Sequence, residues 1–158
     1  FTLAQQLNKS RAEAKELIDN YYKTFPTLKQ YISSQIDFAR ENEYVETISG
    51  RRRYLKNINS QNAIVRSGDE RNAVNAPIQG SAADIIKIAM INIYKRFKKE
   101  KFNSKMLLQV HDELVFDIYN SELTVLKPII RQEMENAFKL SVPLTVDIGE
   151  GKNWLEAH

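Results

Sequence analysis

Three adjacent residues, His111, Asp112 and Glu113, can do metal or acid–base chemistry, and apolar residues flank them on both sides. Neighbouring carboxylates offer the hard oxygen ligands that Mg²⁺ takes, usually one or two of them completed by waters and substrate phosphates. An imidazole beside them can bond a phosphate or sugar oxygen. A second set, Arg71, Asn75 and Gln79, recurs every four residues. Its donors suit the O2 and N3 acceptors of the DNA minor groove, which every base pair presents, so such contacts test pair shape rather than sequence. Each set also has a plainer reading. Asp112 serves as a turn residue and Glu113 as an exposed strand end. Asn75 and Gln79, close to a proline, cap helix ends and bond local backbone. The residue types alone leave both readings open. No GxxxxGK[ST], GxGxxG, HExxH or GxSxG motif occurs, so those chemistries have no support.

The elements that position these residues follow from pattern. Met106 to Val110 and Leu114 to Ile118 read as strands joined through His111 and Asp112, a tight hairpin that lifts the charged residues to its tip. Ser10-x-x-Glu13 is a capping box, so a helix is expected over residues 11–24, and Pro26 opens a second one to about Asn42. Their aromatic residues are expected in a core. Tyr44 to Ile48 and Arg51 to Leu55 make another hairpin around Ser49-Gly50, with Arg51 and Arg53 on one face and Arg52 on the other. After a polar loop over 56–61, a helix from about Asn62 should break or kink at Pro77, and Ser81 can cap its continuation to about Lys101. That continuation should bury Ala82, Ile86, Ala89, Ile93 and Phe97. Ser121 is expected to cap a helix over 122–139, either kinked at Pro128 or restarting there, and Val142 to Ile148 reads as a strand.

With 158 residues the chain can bury one real core. It has no Cys, which fits a reducing compartment, and no apolar run near the ~20 residues of a membrane span. Net charge is only +3, but it is uneven. Residues 1–111 hold 19 Lys+Arg against 11 Asp+Glu, and residues 112–150 hold 3 against 8. A basic body with an acidic end suits a protein that holds a polyanion and a cation together, although scattered solvated charge gives the same totals. The first residue is Phe1, as expected for a piece of a longer chain.

The stretch Gln109-Val110-His111-Asp112-Glu113-Leu114-Val115-Phe116 resembles the last motif of the family A DNA polymerases. So do Tyr44-Val45-Glu46-Thr47 with Gly50-Arg51-Arg52-Arg53, the run from Glu70 to Lys87, and the ending Asn153-Trp154-Leu155-Glu156-Ala157-His158. The resemblance implies an α+β fold, the C-terminal part of a polymerase right hand. Residues 1–65 would be the late fingers, helices plus a hairpin, and 66–158 the late palm with its antiparallel sheet. It implies template-directed nucleotidyl transfer on primer–template DNA with deoxynucleoside triphosphates, two Mg²⁺ ions, no membrane partner and a cytoplasmic location. Asp112 would be a metal ligand and Glu113 an auxiliary catalytic carboxylate. His111 would lie near the primer terminus, and Arg71, Asn75 and Gln79 along the minor groove. The family's other metal-binding Asp motif and its nucleotide-binding fingers helix have no counterpart here, so the chain alone is expected to be inactive and to hold Mg²⁺ weakly or not at all. The competing expectation is a non-catalytic DNA-binding or interaction module on the same fold.

Overall fold

The computed structural model describes residues 2–157. The chain forms two compact units, one as far as Ile78 and one from Gln79 on.

The first unit opens with a short helix, α1 (Thr2–Gln6), which the sequence pattern did not signal. Helix α2 (Arg11–Thr24) starts where the capping box put it: Ser10 Oγ accepts from the Glu13 N–H, and the Glu13 carboxylate accepts from the Ser10 N–H at 2.9 Å. Helix α3 (Pro26–Asn42) begins at the proline and ends on Glu43, whose φ of 60° turns the chain out of the helix. Strands β1 (Tyr44–Glu46) and β2 (Arg52–Tyr54) pair antiparallel, with Tyr44 opposite Tyr54 and Glu46 opposite Arg52. Gly50 at φ 77° closes the turn between them. The core of this unit joins Ala39, Val45, Leu55, Ile58, Ala73 and Ala76. It leaves out the aromatic residues of α2. Only Ala14 of that helix is buried, while Tyr21 and Phe25 are half exposed and stack on one another, their rings 5.0 Å apart. The expectation that these rings form core is therefore corrected.

Helix α4 (Ala63–Glu100) carries the unit boundary and runs on through Pro77, so a break there is ruled out. A proline inside a helix costs about 3 kcal/mol. That cost is offset because the helix buries residues on both sides of it, Ala73 and Ala76 before and Ile86, Ala89, Ile93 and Phe97 after. Ser81 consequently caps nothing; it sits mid-helix and buried, as does Asp84, whereas Ala82 is exposed.

In the second unit, strands β3 (Lys105–Val110) and β4 (Glu113–Asp117) form the expected hairpin. Lys105 pairs with Asp117 and Met106 with Phe116, then Leu107 bulges out, and Leu108, Gln109 and Val110 pair with Val115, Leu114 and Glu113. Helix α5 (Leu123–Glu135) passes through Pro128, so it does not restart there. Its N-cap is Glu122 and not Ser121. It stops short of residue 139, ending on Asn136, whose backbone N–H and side-chain amide both donate to the Gln132 carbonyl, at 3.0 and 2.8 Å. Leu126 and Ile130 pack with Ile93 and Phe97, and β4 lays Leu114 and Phe116 against that cluster. No strand forms over 142–148 among the described residues. The Val146 N–H, which a ladder would need, donates instead to Glu135 Oε1 at 3.2 Å. A last turn, α6 (Trp154–Ala157), is capped by Asn153, whose Oδ1 accepts from the Glu156 N–H at 3.1 Å. The fold is mixed α and β, and its sheets are two separate two-stranded ladders.

Candidate functional site

The β3–β4 turn consists of His111 and Asp112 alone, because Val110 already faces Glu113 in the ladder. His111 takes φ 53°, a left-handed conformation that His and Asp adopt more readily than bulkier residues. Gln109 braces the turn: its Nε2 donates to the His111 carbonyl at 2.7 Å. Gln109 is the residue that sequence reasoning passed over, and its only signal was its place two residues before the turn. His111 and Asp112 are exposed, and Glu113 is half-buried at the start of β4. Asp112 forms no ion pair among the described residues. An acidic group that meets no cation at a turn keeps all its oxygen lone pairs available to an outside ligand.

The hairpin's base is fixed by one carboxylate. Glu122 accepts from the Asn103 and Ser104 N–H groups and from the buried Ser104 hydroxyl. The backbone N–H of Asn103 beside it, followed by the Ser104 hydroxyl, holds the Glu122 carboxyl below its ordinary range.

The structure puts Arg71, Asn75 and Gln79 inside α4 and leaves all three exposed. None of them caps a helix end, which removes the plainer reading of Asn75 and Gln79. Arg71 and Asn75 belong to the first unit and help line a cleft of about 330 Å³. Ile32 and Ile36 of α3 form one side of it, and Ser67, Glu70 and Val74 of α4 complete the other. The backbone here is held by charge. Glu70 accepts from Arg40 Nη2 at 2.8 Å and lies 3.5 Å from Arg66 Nε. Arg71 itself enters no ion pair among the described residues, so its guanidinium remains available. Gln79 is the first residue of the second unit.

The carboxylates at the hairpin tip are the right kind of donor for Mg²⁺ but fall short in number. Among the described residues no three acidic or His side chains group as a metal site. Asp112 and Glu113 by themselves are fewer than such a group requires.

Comparison with known proteins covers nearly the whole chain. The family described as DNA polymerase family A matches residues 1–156. The chain is 50% identical over 157 residues to the DNA polymerase I of Streptococcus pneumoniae, covering 99% of this chain and 18% of that protein. It is 46% identical over 156 residues to the DNA polymerase I of Caldicellulosiruptor bescii, again 99% and 18%. The chain thus spans less than a fifth of the length of these relatives. Among solved structures, the POL domain of Pol1 from M. smegmatis, in complex with DNA primer-template and dNTP, superposes with a TM-score of 0.96 at 46% identity, covering 99% of this chain and 28% of that one.

Proposed function

The chain belongs to DNA polymerase family A, and from that premise we propose that it supplies the metal-binding and minor-groove-reading parts of a template-directed DNA polymerase. The observation that carries the reading is Asp112: an exposed carboxylate on a two-residue turn, outside any ion pair among the described residues, beside His111. The M. smegmatis structure supports the choice of ligands, since it is a complex with DNA primer-template and dNTP.

In this reading Asp112 would hold Mg²⁺, with Glu113 beside it. The remaining ligands come from substrate phosphates, from water and from a second acidic motif that these residues do not contain. When two such ions are bound, they stabilise the attacking and leaving oxygens of an in-line displacement. The bond made joins the primer 3′-oxygen to the α-phosphorus of the incoming deoxynucleotide. The bond broken releases pyrophosphate, and the hydroxyl proton leaves to solvent. His111 hydrogen-bonds the primer terminus or triphosphate and orients it. Arg71, Asn75 and Gln79 donate to the minor-groove acceptors of the newest base pairs, sensing shape without reading sequence. The chain alone, lacking the second acidic motif, performs no extension, and its place of work is the bacterial cytoplasm.

The test uses the complete polymerase. Asp112→Ala lowers the single-turnover incorporation rate by about 10²–10³-fold or more, while the Kd for primer-template stays within about twofold of wild type, since one tip carboxylate adds nothing to phosphate contact. A near-normal rate would take Asp112 out of the metal site.

A further inference from the structure

We infer that Glu122 and Ser104 form a clasp that sets the position of the His111–Asp112 turn, making them positioning residues for the proposed reaction. The inference depends on that reading only through its activity assay.

Four hydrogen bonds converge on the Glu122 carboxylate. The Asn103 N–H and Nδ2 donate at 2.9 and 3.3 Å, the Ser104 N–H at 3.0 Å and the Ser104 hydroxyl at 2.6 Å. A fifth runs from the Tyr119 N–H to the Ser104 oxygen at 3.0 Å. Ser104, only 5% exposed, thus joins three places: the residue before β3, the segment just after β4, and the start of α5. Glu122 is the N-cap residue of α5, yet its side chain makes no capping bond to that helix. Its acceptor capacity is turned toward residues 103 and 104.

The need for a clasp lies in β3. Strand β4 is seated by Leu114 and Phe116 on the cluster of Ile93, Phe97, Leu126 and Ile130. Among the described residues strand β3 has no comparable seat: Leu107 and Leu108 are 57% and 44% exposed, and the ladder to β4 is interrupted at Leu107. A bulged ladder with one unseated strand leaves the pitch of the hairpin to whatever fixes its base. Six strand residues at about 3.3 Å each put the turn roughly 20 Å from the clasp. Over that lever a tilt of about 3° moves the tip by about 1 Å, a displacement that costs on the order of 10²-fold in rate. The part-buried Ser104 bonds resist such a tilt, because breaking them strands the hydroxyl of a residue only 5% exposed away from water.

The experiment compares Ser104→Ala, Ser104→Thr and Glu122→Gln in the complete polymerase, by single-turnover incorporation and by amide hydrogen exchange without DNA or metal. Ser104→Ala is expected to slow incorporation about tenfold, with Kd for primer-template and for nucleotide within about twofold, and to speed exchange across residues 109–113 severalfold. Ser104→Thr, which keeps the hydroxyl, restores both. Glu122→Gln, a milder change should Ser104→Ala fail to fold, accelerates exchange in the same segment. Unchanged exchange at 109–113 in both Ser104→Ala and Glu122→Gln overturns the inference, as does slower incorporation without faster tip exchange. If instead Asp112→Ala leaves incorporation intact, the polymerase role of the tip fails, and the exchange data alone decide whether the clasp positions it.

Discussion

The β1–β2 hairpin carries Arg52 on its exposed face, and the β3–β4 hairpin carries His111 and Asp112 at its turn. Both are two-stranded and antiparallel among the described residues. In the first, the charge is answered within the chain. Arg52 Nε donates to Glu46 Oε1 at 2.7 Å, directly across the ladder, and the guanidinium lies 4.3 Å from the centroid of the Tyr44 ring. The Glu46 hydrogen bond, and then Tyr44, raise the Arg52 pKa further above its already high ordinary value. In the second hairpin Asp112 faces no cation among the described residues, and no Lys or Arg lies between Lys105 and Lys127 in the sequence. The difference separates charge that completes a fold from charge that, in the function proposed above, is kept for an outside partner. Of the three consecutive arginines, the middle one is committed to structure.

The contrast can be broken from either side. The Asp112→Ala loss of activity is the largest effect, and it should leave the urea midpoint of the protein unchanged, because no intramolecular partner is lost. Next, Leu126→Ala, fully buried beneath the second hairpin, should cost about 2–5 kcal/mol in urea unfolding of a complete polymerase domain. A smaller cost would mean that the hairpin's seat is not this cluster. Third, Arg71→Ala should weaken primer-template binding by about 1–3 kcal/mol in an anisotropy titration with no shift in unfolding midpoint; the reverse pattern would make Arg71 structural like Arg52. Fourth, Arg52→Ala should lower the unfolding midpoint slightly and leave DNA affinity within about twofold, as exposed ion pairs contribute little. A large affinity loss would move Arg52 into the second class of charge. The smallest effect is one of pH. Glu122 titrates below its ordinary value of 4.5 in the folded chain, so its stabilisation is complete above that value and fades as pH falls through the lower, folded one. The stability difference between wild type and Glu122→Gln should be flat from pH 7 to about 4.5 and shrink below it; a difference that fades at neutral pH instead would rule Glu122 out as its source.

What could be read from sequence was what local chemistry decides. Ser10 with Glu13, and Pro26, fixed the starts of α2 and α3 because a cap needs only residues three apart. The β3–β4 hairpin was readable because two apolar runs flank two turn residues. The expected break at Pro77 did not form because the burial that carries α4 through it comes from residues distant in sequence. Residues 142–148 alternate as a strand should, but a strand needs a partner, and Glu135 took the donor. Ala82 was placed by stepping four residues back from Ile86, and the helix buries Ser81 and Asp84 there instead. At the site, the types of Asp112 and of Arg71, Asn75 and Gln79 were legible, whereas their lack of partners was not. The Glu122 clasp left no trace at all, since 18 residues separate Glu122 from Ser104.

The bulge at Leu107 has a consequence for how this strand tolerates changes in length. The pairs before it and the pairs after it follow registers that differ by one residue, and Leu107 takes up the difference. A chain lacking Leu107 would keep Lys105 opposite Asp117 and Val110 opposite Glu113, with an unbroken ladder between. Every pairing at the base and at the turn would survive a one-residue deletion, which in an unbulged strand would reverse the facing of every side chain beyond it. Strand β3 therefore has a built-in splice point, and a variant shortened there should still present Asp112 at the turn.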